Sequence, residues 1–386
     1  MKKAFITGIT GQDGSYLAEF LLNKGYQVYG LIRRVALEDP DIYLGRIKHL
    51  SDKITLYSGE ISNYSRISEL IDLIEPDECY HLAAQSFVYE SFNDPFTTNE
   101  FNIGGTLNIL KAIKEKSPKT KLYFAATSEM FGKVVESPQK ETTKFYPRSP
   151  YGVSKVAGFD YTRNFRESYH LFLCSGISFN HESPRRGKEF VTRKIASFIA
   201  DMKAGKENVG ILGNLDSQRD WGYAEDYVRA MWLMLQQEKP EDYVIATGET
   251  HSIKEFLDIA FNHAGISYEI INLSHMSEEL ADEKIAELKN KSGYYIVQHP
   301  RFYRPAEVDV LTGDATKAKE KLGWVPHVSF KELVEMMVES DLKEKGIEIN
   351  KRESPQQTLE ETESIYESSQ DFDKPREFSN VYRKEF

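Results

Sequence analysis

The chain has 386 residues, 40% of them hydrophobic, enough to bury a sizeable core in two domains or in one large α/β domain with additions. Its formal charge of −11, with no basic stripe, excludes a general nucleic-acid binder. No apolar run approaches the roughly 18 residues of a membrane span, and the N-terminus enters a strand without room for a signal peptide, so the sequence predicts a cytoplasmic protein with no membrane partner.

Residues 4–6 form a short apolar strand, and Gly8, Gly11 and Gly14 follow at once. Residues 15–23 then place Leu17, Phe20 and Leu21 on one helical face. Glycines between a strand and a helix make a dinucleotide fingerprint: one allows the turn, one the approach of a pyrophosphate, one the packing of helix on strand. The pyrophosphate would sit on the helix N-terminus. The alternative is an ordinary glycine-punctuated turn. A second strand, 27–32, ends in Arg33 and Arg34. An acidic residue there would hold a ribose 2′-hydroxyl, whereas arginine accommodates a 2′-phosphate, so the pair favours NADP over NAD. A solvated basic pair is the alternative. Residues 35–46 read as a loop that could contact another subunit.

Strands are predicted at 56–59, 78–84 and 121–126, with helices at 64–73 and 98–114, the latter carrying Asn102, Gly105 and Thr106. Cys79 and Cys174 lie in apolar runs and read as buried thiols, not as a disulfide or a metal pair; no metal is called for. The alternation predicts a Rossmann-like, doubly wound parallel sheet covered on both faces. Ligands bind beyond the carboxyl ends of such strands, where Gly8, Arg33, Ala84 and Thr127 should converge. A long helix then runs from about Tyr151 to His170. Tyr151 and Lys155 lie a turn apart on one face. An ammonium beside a phenol stabilises the phenolate and makes it a usable base. A chance pair on a surface helix is the alternative. Further on, strands are predicted at 170–180 and 243–246, and helices at 190–203, 224–235, 252–263 and 330–343. The charged stretch 276–291 reads as a helix with a solvated face. Residues 346–386 read as a charged, extended tail whose aromatics could dock on a neighbour.

The stretches GITGQDGSYLAEFLL (8–22), ATSEMFGK (126–133), FYPRSPYGVSK (145–155), FNHESPRRG (179–187), GNLDSQRDWGYAEDYV (213–228) and YRPAEVD (303–309) together resemble the extended short-chain dehydrogenase/reductases that act on nucleotide sugars. Among these the chain is most similar to the GDP-mannose 4,6-dehydratases, over about residues 3–345. The resemblance implies that Gly8, Gly11, Gly14 and Arg34 bind NADP, with Ala84 and Gln85 where the fourth strand meets it. It implies that Thr127, Ser128, Glu129, Tyr151 and Lys155 are catalytic, and that Ser86, Asn180, Val191, Lys194, Arg219, Arg304 and Glu307 hold a GDP-sugar. The implied reaction is an internal redox cycle: hydride leaves C4 for NADP, water is lost from C5–C6, and the hydride returns to C6. The implied organisation is an NADP-binding domain at 1–180, sharing 220–250 and 300–315, and a smaller C-terminal α/β domain at 181–345 for the GDP-sugar. A homodimer or homotetramer is implied. Phe87 stands where the family usually has histidine, and the loop after Arg33 departs from the family pattern. Another GDP-hexose or a GDP-heptose therefore stays open beside GDP-mannose. Two rivals are an epimerase or reductase on the same scaffold, which needs no base such as Glu129 at C5, and a non-catalytic dinucleotide sensor, which would lack the Tyr151–Lys155 pair.

Overall fold

Seven short apolar segments line up as one all-parallel sheet, in the order Tyr243–Ile245, Leu173–Ser178, Lys121–Thr127, Glu78–His81, Lys3–Thr7, Gln27–Ile32, Ile54–Ser58. The computed structural model describes residues 1–33, 44–303 and 311–348, and residues 1–347 belong to one compact unit. Arg34, Arg304, Glu307 and most of the tail lie outside the described residues. The expected doubly wound fold is observed. The strand order reverses between Lys3–Thr7 and Glu78–His81, so two connections leave in opposite directions there and open a crevice.

Burial explains why these segments are strands. Glu78–His81 and Leu173–Ser178 are buried at every position, the pattern of a sheet covered on both faces. One layer packs Leu17, Leu21, Tyr227, Val228, Met231 and Trp324 on the sheet. The other packs Ile67, Leu70, Ile71, Ile109, Leu110 and Ile113. Cys79 and Cys174 are buried free thiols, as expected. Caps set the helix that carries Tyr151. Ser149 accepts a hydrogen bond from the Gly152 N–H, Pro150 occupies the first turn, and His170 ends Pro150–Tyr169 in the left-handed conformation.

Three expectations need correction. The strand expected at 78–84 stops at His81, because its neighbour ends at Thr7 and turns away at Gly8, and Ala83 N–H bonds the Thr7 hydroxyl instead (3.2 Å). The helix expected at 98–114 is broken into Pro95–Asn99, a wide π turn at Glu100–Gly104 and Gly105–Lys116. There the Asn102 side chain takes the Gln85 N–H (2.8 Å) and donates to Gln85 O (3.0 Å) and Ser154 Oγ (2.9 Å), tying the turn to the helix of Tyr151. The charged helix, Glu278–Lys289, is more than a solvated face. Ala281, Ile285 and Leu288, at helical spacing, are buried against Val209, Tyr295 and Val297. Those last residues belong to a small parallel sheet, Glu269–Asn272, Tyr295–Gln298 and Val209–Leu212, none of which is among the strands expected from the sequence. No helix among the described residues is long and apolar enough to cross a membrane.

The edge strand Tyr243–Ile245 is anchored by charge. Both Arg166 guanidinium nitrogens Nη1 and Nη2 reach Asp242 (2.8 and 2.7 Å), and Asp242 also accepts from the Ser175 N–H (2.9 Å). Asp242→Ala would leave a half-buried guanidinium without its carboxylate. We expect a loss of about 3 kcal/mol in denaturant unfolding; a loss below about 1 kcal/mol would show that water replaces the pair.

Candidate active site

At the reversal, Gly8 adopts φ +77°, which favours glycine, and a side chain there would lie 2.9 Å from Ala83 N. The Gly11 N–H donates to Gly8 O (3.0 Å), and Gly11 caps the first helix, Gln12–Asn23, whose leading N–H groups have no side-chain partner among the described residues. A Cβ on Gly14 would sit 2.3 Å from Gly8 O, so only glycine lets this helix start against the strand end. The three glycines are thus a close-packed cradle with open N–H groups, suited to an anion, and not merely turn punctuation.

The cradle opens into a cleft of about 950 Å³, and every sequence-predicted site residue among the described ones lines it. Gly8, Gly11, Gly14, Arg33, Ala84 and Gln85 stand on the fingerprint side, Thr127, Ser128, Glu129, Tyr151 and Lys155 in the middle, and Ser86, Asn180, Val191, Lys194 and Arg219 complete it. The elements explain the convergence. Thr127 is the last residue of its strand, and Ser128–Met130 turns straight out of it, with the Glu129 N–H on Thr127 Oγ1 (3.3 Å). Val191 opens its helix, so Lys194 projects a turn later, its Nζ 4.2 Å from the Phe302 ring centre. Arg219 ends a two-residue strand held by His251 on one side and Leu311 on the other.

Burial governs the central pair. It pushes the Tyr151 phenol well above its ordinary value; the charge of Glu129 adds to this and the Thr127 hydroxyl opposes it. Burial also pulls Lys155 down to about 8, against the attraction of Asp13. The Lys155 ammonium donates to Ala125 O at 2.7 Å and lies 5.9 Å from the Tyr151 ring centre. The expected effect of Lys155 on the phenol is therefore not what sets it in this arrangement.

The sequence reading missed four cleft residues: Gln12, Asp13, His181 and Arg186. The His181 ring faces Phe179 O through Nδ1 (2.7 Å) and Asp13 Oδ2 through Nε2 (2.9 Å). Both partners accept, so both nitrogens must donate and the ring is cationic. Burial opposes that charge, but Asp13 prevails and raises the His181 pKa. Burial also opposes the Asp13 carboxylate, and His181 overcomes it, holding Asp13 at about 2. Gln12 Nε2 bonds Asp13 Oδ1 (2.9 Å) and His181 O (3.0 Å), and the His181 ring stacks on Tyr227 at 4.5 Å. The Arg186 guanidinium lies 3.6 Å over the Phe190 ring. The signal was present in the sequence, since Gln12-Asp13 falls between two fingerprint glycines and His181 follows directly on Asn180. Phe87, the departure noted above, packs edge-on against Phe190 at 6.0 Å and near Tyr89 at 6.3 Å, so it forms an aromatic wall of the cleft.

The family model described as GDP-mannose 4,6 dehydratase matches residues 5–337. A GDP-mannose 4,6-dehydratase of Yersinia enterocolitica is 48% identical over 362 residues, covering 89% of this chain and 95% of that one. The human GDP-mannose 4,6 dehydratase is 47% identical, covering 88% and 91%. Among solved structures, a UDP-glucose 4-epimerase of Thermotoga maritima with UDP-glucose is 26% identical, with a TM-score of 0.71 over 90% of this chain and 100% of that one. A dTDP-glucose 4,6-dehydratase of Bacillus anthracis in complex with NAD is 19% identical, with a TM-score of 0.71 over 90% and 98%, and shares the fold.

The charge pair gives a signed prediction. The Asp13 share of stability is present above its ordinary value of 3.8 and is lost as pH falls towards about 2. The His181 share is full below its ordinary value of 6.5 and is lost as pH rises through its raised folded value. Asp13→Asn removes the partner and leaves burial, so His181 should titrate below 6.5. Ring-nitrogen NMR reads it; an unmoved titration would mean that another group holds the proton.

Proposed function

The chain belongs to the GDP-mannose 4,6-dehydratase family, and from that premise we propose how its cleft turns GDP-mannose into GDP-4-keto-6-deoxymannose with loss of water. It is an NADP-dependent hydro-lyase. The observation that carries the reading is the grouping of Thr127, Glu129, Tyr151 and Lys155 beside the glycine cradle in one cleft. The cradle fits a dinucleotide, since glycine at 14 lets the first helix begin against the strand end, and that helix has open leading N–H groups among the described residues. Gly8, Gly11, Gly14, Arg33, Arg34, Ala84, Gln85, Tyr151 and Lys155 would hold NADP, Arg33 and Arg34 favouring its 2′-phosphate. Bound NADP supplies a reversible hydride acceptor, so oxidation at C4 and reduction at C6 need no outside oxidant.

The chain's own residues do the rest. Tyr151 takes the proton of the 4-hydroxyl, and Thr127 bonds the 4-oxygen. The burial that raises the phenol also strengthens the effect of a nearby cation. A swing of Lys155 Nζ from Ala125 O towards the phenol would therefore lower Tyr151 steeply. A ketone at C4 acidifies C5, and Glu129 removes that proton. Glu129 or Ser128 then helps water leave from C6, and C5 takes back a proton within the site as C6 is reduced, so that only water is lost overall. Asn180, Val191, Lys194, Arg219, Arg304 and Glu307 hold the GDP half, the arginines on the diphosphate and Glu307 on the ribose hydroxyls, and Ser86 is a further contact to the substrate. In this division residues 1–180, with 220–250 and 300–315, serve NADP, and 181–345 serve the GDP-sugar. The free buried thiols agree with a cytoplasmic protein.

The surface supports the reading of a homodimer or homotetramer. Phe96 is 85% exposed, and Tyr89, Phe92, Val153 and Tyr161 are also exposed, on the neighbouring helices Val88–Asn93, Pro95–Asn99 and Pro150–Tyr169. Apolar groups spread over adjoining helices suit a second copy. Val153→Arg should shift the light-scattering mass towards the monomer; an unchanged mass would move the interface elsewhere.

Purified protein incubated with GDP-mannose and no added cofactor should give a product lighter by one water, with no net cofactor consumption. If GDP-mannose is untouched by cofactor-loaded enzyme while another GDP-hexose or a GDP-heptose is dehydrated, the sugar assignment changes, and Phe87 is the first residue to exchange. Glu129→Gln should slow dehydration by about 100-fold or more, while slow formation of reduced nicotinamide with GDP-mannose persists. Full turnover by that variant would remove Glu129 from the role of base.

A further inference from the structure

Asp220 takes no part in the chemistry above, yet it sits between two residues tied to the cleft. Arg219 precedes it, and Trp221 follows it in register with Asn180. Asp220 is fully buried. Its Oδ1 accepts from Thr247 N (2.8 Å) and Thr247 Oγ1 (2.6 Å). Its Oδ2 accepts from Gly248 N (2.9 Å) and Gly313 N (3.2 Å). Four donors fill the acceptor capacity of a carboxylate. Three separate stretches of chain meet on this one group: the strand end carrying Arg219, the turn after Tyr243–Ile245, and residues 311–313. The approach of the third is built for the purpose. A Cβ on Gly313 would lie 2.2 Å from Ala246 Cβ and 2.8 Å from the Phe179 ring, so only glycine brings its N–H to Asp220. The Arg219 backbone is thereby held between His251 and Leu311.

We propose that Asp220 is a positioning residue for the nucleotide sugar: by gathering Thr247, Gly248 and Gly313 it fixes the Arg219 backbone, so that the guanidinium meets the diphosphate without first ordering its strand. This rests on the reading of Arg219 as a diphosphate ligand. A carboxylate is needed because all four partners donate. An asparagine of the same shape would turn an NH₂ group against N–H donors, whichever way its amide faced.

The test reads GDP affinity by calorimetry on the full chain with its NADP content matched. Thr247→Val deletes one donor and keeps the backbone; GDP should bind about fivefold more weakly, and Thr247→Ser should restore it. Asp220→Asn should weaken GDP by about tenfold or more; if that variant fails to fold, the Thr247 pair decides. Arg219→Ala should itself weaken GDP by about tenfold, and adding Thr247→Val to it should change GDP affinity no further, the coupling a general loss of structure would not give. If Arg219→Ala leaves GDP affinity unchanged, the diphosphate reading falls and takes this proposal with it. If Arg219→Ala weakens GDP but Thr247→Val does not, or if Thr247→Val keeps its full effect without Arg219, only the positioning role of Asp220 is overturned.

Discussion

The backbone contact between Gly8 and Ala83 is the constraint on which the rest depends. The sheet reverses its winding there, and the chain leaves the strand Lys3–Thr7 in the left-handed conformation with no room for a side chain. That turn lets the first helix begin against the strand end, with its open N–H groups aimed into the crevice. It also cuts short the strand Glu78–His81, which frees residues 82–86 to line the same crevice. A side chain at Gly8 or Gly14 would push helix and strand apart, and the cleft between them would lose its floor.

Charge is distributed over that floor so that burial works for the chemistry. Asp13 and His181 each cost free energy to bury alone, but paired they keep each other ionised. Asp13 also supports the charge of Lys155, which burial would otherwise depress further. His81, held between Thr7 Oγ1 (2.8 Å) and Thr106 Oγ1 (3.1 Å), is driven by burial, and then by Lys155, down to about 3. It stays neutral at physiological pH and adds no second cation beside Lys155. In this arrangement burial raises the phenol and lowers the ammonium, so the phenol becomes a usable base at neutral pH only when the ammonium comes close to it.

What was legible in the sequence follows from how local each signal is. Residues 27–32 and 224–235 were readable to the residue, because hydrophobic period alone defines them. The fingerprint and the Tyr151–Lys155 pair were readable because both are short spacings within one turn. The π turn at Glu100–Gly104 was not, since it is imposed by Asn102 reaching Gln85 and Ser154, partners 17 and 52 residues away. Nor was the small parallel sheet, whose central strand Tyr295–Gln298 pairs with Val209–Leu212 from far earlier in the chain. His181 was hidden for the same reason: its charge is created by Asp13, 168 residues earlier. Tertiary partners, not local pattern, decide such residues.

The two halves of the cleft are built to different tolerances, and their tasks explain why. Hydride and proton transfers fail when reacting atoms are displaced by about 1 Å, and Thr127, Glu129, Tyr151 and Lys155 stand at the end of a seven-stranded sheet and on a 20-residue helix packed against it. Holding a diphosphate needs cations within a salt-bridge radius, which is a looser demand. Arg219, the diphosphate ligand proposed above, sits on a two-residue strand. So short a strand has little hydrogen bonding of its own to fix it. It can present a guanidinium reproducibly only if something outside the sheet ladder holds it, and the four donors gathered on Asp220 supply that hold. On the proposed roles, precision at the reacting carbon would come from the large sheet, and affinity for the nucleotide from a small, separately clamped edge.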